Sequence, residues 1–245
     1  MTDETRKVLR LSGSDVEHFL QGLVTNDVAG LKDGIVYTAL LTAQGKFRFD
    51  FFMVPDGSSV LLDVSAEMAP GLAQVLGMYK LRSDVVIEAT DLTVARGIGA
   101  VPDGAFVDPR HDSLGWRGYS GQTGHDADWD ALRVAACIPE GGIELTSDTF
   151  ILEAGLERIH GVDFKKGCYV GQEVTARMKH KTELRKGLAQ VTVAGAAPVG
   201  TEIKAGDKVA GTLFTQANGQ GIAYLRFDRA KGAMTAGDAT VTYDG

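Results

Sequence analysis

Residues 36–65 constrain the fold more than any other stretch. Three largely apolar runs, 36–41, 47–54 and 60–64, are separated by short stretches that contain the turn signals Ala43-Gln44-Gly45-Lys46 and Pro55-Asp56-Gly57-Ser58. Short runs rich in Val, Leu, Phe and Tyr suit strands, and tetrapeptides of that composition supply hairpin turns. The segment predicts an antiparallel meander. Residues 8–11 add a further strand, and Ser14-Asp15-Val16-Glu17 reads as a capping box opening a helix with Val16, Phe19, Leu20 and Leu23 on one face. A second amphipathic helix carries Met68, Leu72, Val75, Leu76 and Tyr79, and strands near 85–88 and 92–95 follow. The expected class is α+β, helices packed on an antiparallel sheet.

Beyond residue 97 the texture changes twice. Residues 97–123 are richer in Gly, Pro and Asp, after which 129–138 and 150–159 have helical spacing. After Lys186, short runs at 188–193, 202–204, 208–216, 221–227 and 240–243 alternate with Gly, Pro and Asp turns, as in a small barrel or sandwich. With 245 residues, 44% of them hydrophobic, the chain can bury the cores of two or three small domains. The divisions expected are an N-terminal α+β lobe over 1–96, a second α+β lobe over 97–185 and a C-terminal β-barrel over 186–245.

No apolar run approaches the roughly 20 residues of a membrane helix, and residues 1–10 are polar with mixed charge. The expectation is a cytoplasmic protein with no membrane partner. A net charge of -7 argues against a general nucleic-acid binder, so no direct nucleic-acid contact is expected. The charge is uneven, however. Between 158 and 186, Arg158, Lys165, Lys166, Arg177, Lys179, Lys181, Arg185 and Lys186 face only Asp163, Glu173 and Glu183, about +5 against about -12 elsewhere. Such a stretch is either a solvated face or a dock for an anion or an acidic partner.

The two cysteines, Cys137 and Cys168, form no Cys-x-x-Cys pair and no cluster with His at zinc spacing, so neither a protein-only metal site nor a structural disulfide is expected. Cys137, in an apolar helical stretch, reads as a buried, inert thiol. Cys168 differs. It follows Gly167 and precedes Gly171, residues 172–179 fit a helix, and the dipole of that helix together with Lys165 and Lys166 would favour the thiolate. Flanking glycines also permit close approach of a ligand to backbone amides. Local chemistry leaves both a working thiol and a structural one open.

The run Lys166-Gly167-Cys168-Tyr169-Val170-Gly171-Gln172-Glu173, followed by Arg177, resembles the signature of the YgfZ-type folate-binding family and its mitochondrial iron–sulfur assembly counterpart: lysine, glycine, cysteine, aromatic, any residue, glycine, glutamine, glutamate, then an arginine. Residues 19–28, which include Asn26 and Asp27, and residues 40–46 resemble that family too. The resemblance implies an aminomethyltransferase-like (GcvT-like) folate-binding fold, with α+β lobes around a folate channel and a C-terminal β-barrel. It implies tetrahydrofolate as ligand and iron–sulfur client or assembly proteins as partners, among them radical enzymes that modify tRNA. It also makes Cys168 the residue on which function depends.

A pterin offers a 2-amino group beside N3–H, which one carboxylate can accept as a fork. The aminomethyltransferases carry such an acid in a Leu-Arg-x-Glu-Ala-Gly-Leu pattern. The segment judged equivalent, 132–138, has Ala135 there, which argues against ordinary aminomethyl transfer. Glu153 also precedes Ala-Gly-Leu and is either a folate contact or an exposed or capping helix acid. Arg177 is a site residue or the partner of Glu173 in an i,i+4 pair. Asn26 and Asp27 are site residues or turn and capping residues. Gln172 and Glu173 line the site or brace the cysteine turn. Three functions compete: a folate-binding accessory protein for iron–sulfur assembly or repair, a folate-dependent one-carbon transferase, and a docking scaffold using the basic 158–186 face.

Overall fold

The computed structural model describes residues 3–180 and 184–245. Its strands and helices are β1 (Arg6–Ser12), α1 (Val16–Gln21), β2 (Val36–Leu41), β3 (Phe47–Asp56), β4 (Ser59–Ser65), α2 (Ala69–Lys80), β5 (Val86–Ala89), β6 (Ala95–Gly97), β7 (Ala105–Val107), β8 (Trp116–Gly118), α3 (Trp129–Ala135), α4 (Gln172–Lys179), β9 (Lys186–Ala194), β10 (Thr201–Ala205), β11 (Lys208–Ala217), β12 (Gln220–Arg226), β13 (Met234–Ala236) and β14 (Ala239–Thr242). The chain divides into two compact units, each made of two separate stretches: Met1–Ala127 with Glu157–Val174, and Asp128–Leu156 with Thr175–Gly245. No helix among the described residues is long and apolar enough to cross a membrane.

In the first unit the predicted meander forms as β2, β3 and β4, extended to an antiparallel sheet of order β2-β3-β4-β1-β5. Alternate side chains of a strand point to opposite faces, and both faces of this sheet are covered. Leu40, Phe51, Met53, Leu62 and Val64 join Val16, Phe19 and Leu20 of α1 and Leu72, Val75 and Leu76 of α2 in one apolar core. The opposite face is ionic and was not foreseen. Asp63 is fully buried and accepts from Arg6 Nε at 2.6 Å, Arg117 Nη1 at 2.7 Å and the Tyr119 hydroxyl at 2.9 Å. Asp108 accepts from Arg110 Nη2 at 2.8 Å and Arg117 Nε at 3.0 Å. The Arg117 guanidinium lies 3.9 Å from the Phe52 ring centre, and Tyr37 donates to Asp50 at 3.0 Å. The strands β6, β8 and β7 that supply Arg117 form a separate three-stranded sheet.

The second unit contains a closed six-stranded barrel, β10-β11-β12-β9-β14-β13, as the spacing of turn signals predicts. Ile203, Leu213, Leu225, Met234 and Val241 fill it together with alanines, whose small volume suits so narrow a barrel. Strand β13 had no visible signal in the sequence, being three residues long.

Three local expectations are corrected. Ser14 does not cap α1: its amide and hydroxyl donate to Asp84 Oδ2 at 3.1 and 2.9 Å, because a carboxylate ahead of β5 competes for them. Residues 150–159 are successive turns, not a helix. Gly155 takes φ +74, its amide bonds to Leu152 O and that of Leu156 to Ile151 O, the 5→2 and 6→1 pair that ends a helix. Cys137 lies beyond α3, half-buried, with φ +50; its amide bonds to Val134 O and that of Ile138 to Arg133 O. A cysteine thus occupies a left-handed position where glycine is usual. Both cysteines are free.

Candidate functional site

The signature loop belongs, through Val174, to the first unit. Its side chains alternate in a way the sequence does not announce: Lys166 and Tyr169 are buried, while Gly167 and Cys168 between them are exposed. The Lys166 ammonium enters a cradle of carbonyls, donating to Gln21 O at 2.8 Å, to Val24 O and to Asn26 O at 3.1 Å. Gln21 ends α1, so the cation caps the negative end of a helix. The Tyr169 ring centre lies 5.2 Å from Nζ. Burial lowers the Lys166 pKa to about 8, against the opposing pull of Asp27 and Asp163. The Lys166 ammonium is thus held by carbonyls at the end of α1 and in the turn that follows it.

The other side of the loop is fixed by a glycine pair. Gly171 has φ +83, and a Cβ there would come 2.6 Å from Thr42 O and 3.1 Å from Gly45 Cα. Gly45, in the β2–β3 turn, has φ +74 and would place a Cβ 2.8 Å from Val174 Cβ. Val170 packs against the apolar core. The three family-like segments, 19–28, 40–46 and 166–173, therefore meet in space.

Asn26 and Asp27 act in the same clasp. Asn26 Nδ2 donates to Tyr37 O at 2.9 Å and His160 O at 2.7 Å, Thr25 Oγ1 donates to Gly161 O at 2.7 Å, and the Asp163 amide bonds to Thr25 O. Asp27 caps the short 3-10 helix Val28–Lys32 through Ala29 N and accepts from Gln21 Nε2, the capping role its position allowed. Beside them lies a cleft of about 410 Å³ lined by Asn26, Asp27, Lys32, Tyr37, His160 and Asp163. Cys168 stands four residues ahead of α4, whose first turn bears a half-buried Gln172 and an exposed Glu173. Of the basic stretch, Lys165, Arg177, Lys179, Arg185 and Lys186 are exposed; Lys181 and Glu183 lie outside the described residues.

Glu153 and Arg177 belong to the second unit. Glu153 is neither exposed nor helical. Its Oε2 accepts the Tyr224 hydroxyl at 2.6 Å with Lys186 Nζ 3.6 Å away, and its carbonyl accepts the Leu188 amide at 2.7 Å. Burial and this carboxylate raise the Tyr224 pKa. The turn ended by Gly155 keeps Glu153 out of a helix and against the barrel strands of its own unit. Ala135 ends α3, and the preceding Arg133 is buried, bonded to Glu144 Oε2 at 3.2 Å and Thr215 Oγ1 at 3.1 Å. Sequence reasoning missed Asp50 and Asp63; the available signal was an aspartate set among large apolar residues, between Phe49 and Phe51 in β3 and between Leu62 and Val64 in β4.

Among the described residues, no group of three or more His, Cys, Asp or Glu side chains could hold a metal ion. Cys168 presents a single free thiol on the exposed side of the loop.

Residues 185–244 match the family model described as CAF17, C-terminal beta-barrel domain. The chain is 31% identical over 230 residues to the mitochondrial iron-sulfur cluster assembly factor IBA57 homolog of Mycosarcoma maydis, covering 79% of this chain and 57% of that protein. It is 31% identical to the Neurospora crassa homolog, covering 74% and 51%. The chain thus spans little more than half the length of these fungal relatives. The mitochondrial IBA57 of Mus musculus is 30% identical over 279 residues, with 94% of this chain and 78% of that protein covered. Among solved structures, glycine cleavage system aminomethyltransferase T from Bartonella henselae superposes with a TM-score of 0.75 at 12% identity, over 97% of this chain and 82% of that one, a likeness of fold. An identity of 30% to the mouse protein, in an alignment that takes in 94% of this chain and 78% of that one, places the chain in the family of IBA57 iron–sulfur cluster assembly factors.

Proposed function

We propose that this protein is an iron–sulfur cluster assembly factor in which Cys168 is a transient thiolate ligand to a cluster passing between proteins. The observation that carries this reading is the exposed Gly167-Cys168 pair held between two inward-turned side chains, Lys166 and Tyr169. A ligand that must be reached by a partner has to be exposed, and one that must bind without a large ordering cost has to be held still. Iron–sulfur clusters take several cysteine ligands, so a lone thiol points to a cluster shared with a client or an assembly partner.

Tetrahydrofolate is the small-molecule ligand of this reading, supported by the aminomethyltransferase-like fold. Glu153 fits one part of a pterin's needs: Oε2 is taken by Tyr224 and Lys186, while Oε1 has no hydrogen bond among the described residues and can accept from N3–H or the 2-amino group. The folate would occupy and stiffen its site; no step of cluster transfer is assigned to it.

Complementation tests the thiol. In cells lacking the gene, Cys137→Ser should restore the activity of iron–sulfur enzymes, and Cys168→Ser should not. Full rescue by Cys168→Ser would remove the thiol role. Calorimetry with tetrahydrofolate tests the ligand, with Glu153→Gln expected to weaken binding about tenfold; absence of binding at millimolar folate would strike the ligand from the proposal. Release of methylenetetrahydrofolate from an aminomethyl donor would replace the accessory role by that of a transferase.

A further inference from the structure

At one end of the barrel two cations face each other across a strand pair. In the β9–β12 register Lys186 stands directly opposite Arg226, and like charges so placed destabilise a sheet. Each has one acid at the limit of an ion pair: Glu153 Oε2 lies 3.6 Å from Lys186 Nζ, and Asp228 Oδ1 lies 3.8 Å from Arg226 Nε. Neither contact is short enough for a hydrogen bond, and the same Glu153 oxygen already accepts the Tyr224 hydroxyl at 2.6 Å. The side chains of Lys186 and Arg226 are 46% and 49% exposed. Pairs so long and so exposed offset little of the repulsion.

The surrounding chain does not restore the balance. Residues 185–186 and 226–231 carry five cations, Arg185, Lys186, Arg226, Arg229 and Lys231, and one acid, Asp228. The two stretches are tied together, since the Phe227 amide donates to Arg185 O at 3.0 Å and the amides of Arg229 and Ala230 turn back onto Arg226 O. Glu153 and Asp244, which follows the Tyr243 ring stacked on Phe227, bring the acids to three. The adjoining β10–β11 hairpin is neutral, with Lys204 and Lys208 against Glu202 and Asp207. The opposite end of the barrel, formed by 194–201, 217–220 and 237–239, carries no cation. Positive charge is therefore gathered at one end, where it favours an anion.

The kind of anion follows from what adjoins these cations. Glu153 is pressed onto the same end of the barrel: the Leu188 amide donates to its carbonyl at 2.7 Å, and a Cβ on Gly187 would come 2.7 Å from that oxygen. Arg226 opposes the rise in the Tyr224 pKa that Glu153 helps to cause, so it lies within the field of that pair. Glu153 Oε1 is the oxygen offered to a pterin. A folate joins its pterin through p-aminobenzoate to glutamate, and polyglutamylated folates extend that glutamate by γ-linked residues, each adding a carboxylate. A pterin acceptor beside a cationic strand end suits the two ends of one such molecule.

We propose that this end of the barrel binds the polyglutamate tail of a folate, its carboxylates received by Lys186 and Arg226 and drawn in by the field of Arg185, Arg229 and Lys231. The proposal rests on the folate reading of Glu153 and adds to it a preference for polyglutamylated over monoglutamylated folate.

Calorimetry on the full chain compares tetrahydrofolate monoglutamate with the pentaglutamate. The pentaglutamate should bind about tenfold more tightly at low salt, and the difference should shrink as salt screens the exposed cations. Arg226→Gln should erase most of that difference, and Arg226→Lys should keep most of it. The unfolding midpoint of Arg226→Gln should not fall, because the change removes a like-charge contact. Equal affinity for the two folates, or a difference indifferent to Arg226→Gln, would overturn the tail site and leave the pterin reading standing; binding of neither folate would remove both. An α-linked pentaglutamate peptide that binds as tightly as the folate pentaglutamate would also overturn it, since this end would then be a dock for an acidic protein.

Discussion

Gly45 and Gly171 touch through their backbones: a Cβ on Gly45 would lie 3.2 Å from the Gly171 carbonyl oxygen, and a Cβ on Gly171 would lie 3.1 Å from Gly45 Cα. One glycine ends the turn between two strands of the central sheet, the other closes the signature loop, and both have positive φ. Gly171→Ala should therefore destabilise the protein by roughly 2–4 kcal/mol, the sum of backbone strain and an unrelieved clash with Thr42 O. Gly167→Ala, at an open position, should cost under about 1 kcal/mol. Urea denaturation of the two variants distinguishes a packing glycine from a merely exposed one.

Lys166→Met should leave three carbonyls, that of Val24 buried and those of Gln21 and Asn26 partly so, short of a donor and cost about 2–3 kcal/mol. Lys166→Arg should not rescue, because a planar guanidinium cannot aim at three carbonyls arranged around a point charge. Titration of side-chain amines by NMR should find one lysine with a midpoint near 8, and that signal should vanish in Lys166→Met.

Asp63 and Asp108 make acid the weak side of this fold. Burial by itself would raise both carboxyls, but Arg6 and Arg117 around Asp63, and Arg110 and Arg117 around Asp108, outweigh it and hold them below the usual range. A depressed carboxylate stabilises the native state above its unfolded pKa of about 3.9 and loses that contribution as pH falls through the lower native value. Stability should be flat from neutral pH to about 5 in respect of these groups and decline steeply below about 4. Asp108→Asn should remove about 3–5 kcal/mol at neutral pH by stranding the buried Arg110 guanidinium and leaving Arg117 with Asp63 alone, and should flatten part of the acid limb measured by thermal unfolding.

Cys137→Gly should stabilise the second unit by about 0.5–1 kcal/mol, since glycine adopts the left-handed position after α3 without the Cβ cost. Calorimetric unfolding checks the sign, and unchanged complementation by this variant would show that Cys137 has no part in function.

The antiparallel meander, the amphipathic helices α1 and α2 and nearly every barrel strand were legible because each is set by a short repeat of apolar residues and a turn. The loop 166–173 was legible as a sequence signature, and so was the exposed cysteine's candidacy. Its architecture was not: that Lys166 turns inward onto the end of α1, that Gly171 needs Gly45, and that Asn26 clasps His160 depend on segments about 130 residues apart meeting. The same holds for the ionic face, where Asp63 finds Arg6 across two paired strands and Arg117 from a later hairpin. Residues 150–159 show the limit most clearly. Their helical spacing is genuine, yet Gly155 ends the turn and the Glu153 carbonyl bonds to β9 instead of continuing a helix. Periodicity is a property of neighbours and can be read along the chain; the pairing of a buried charge or carbonyl is decided by whichever distant group arrives to satisfy it, and only the tertiary structure supplies that group.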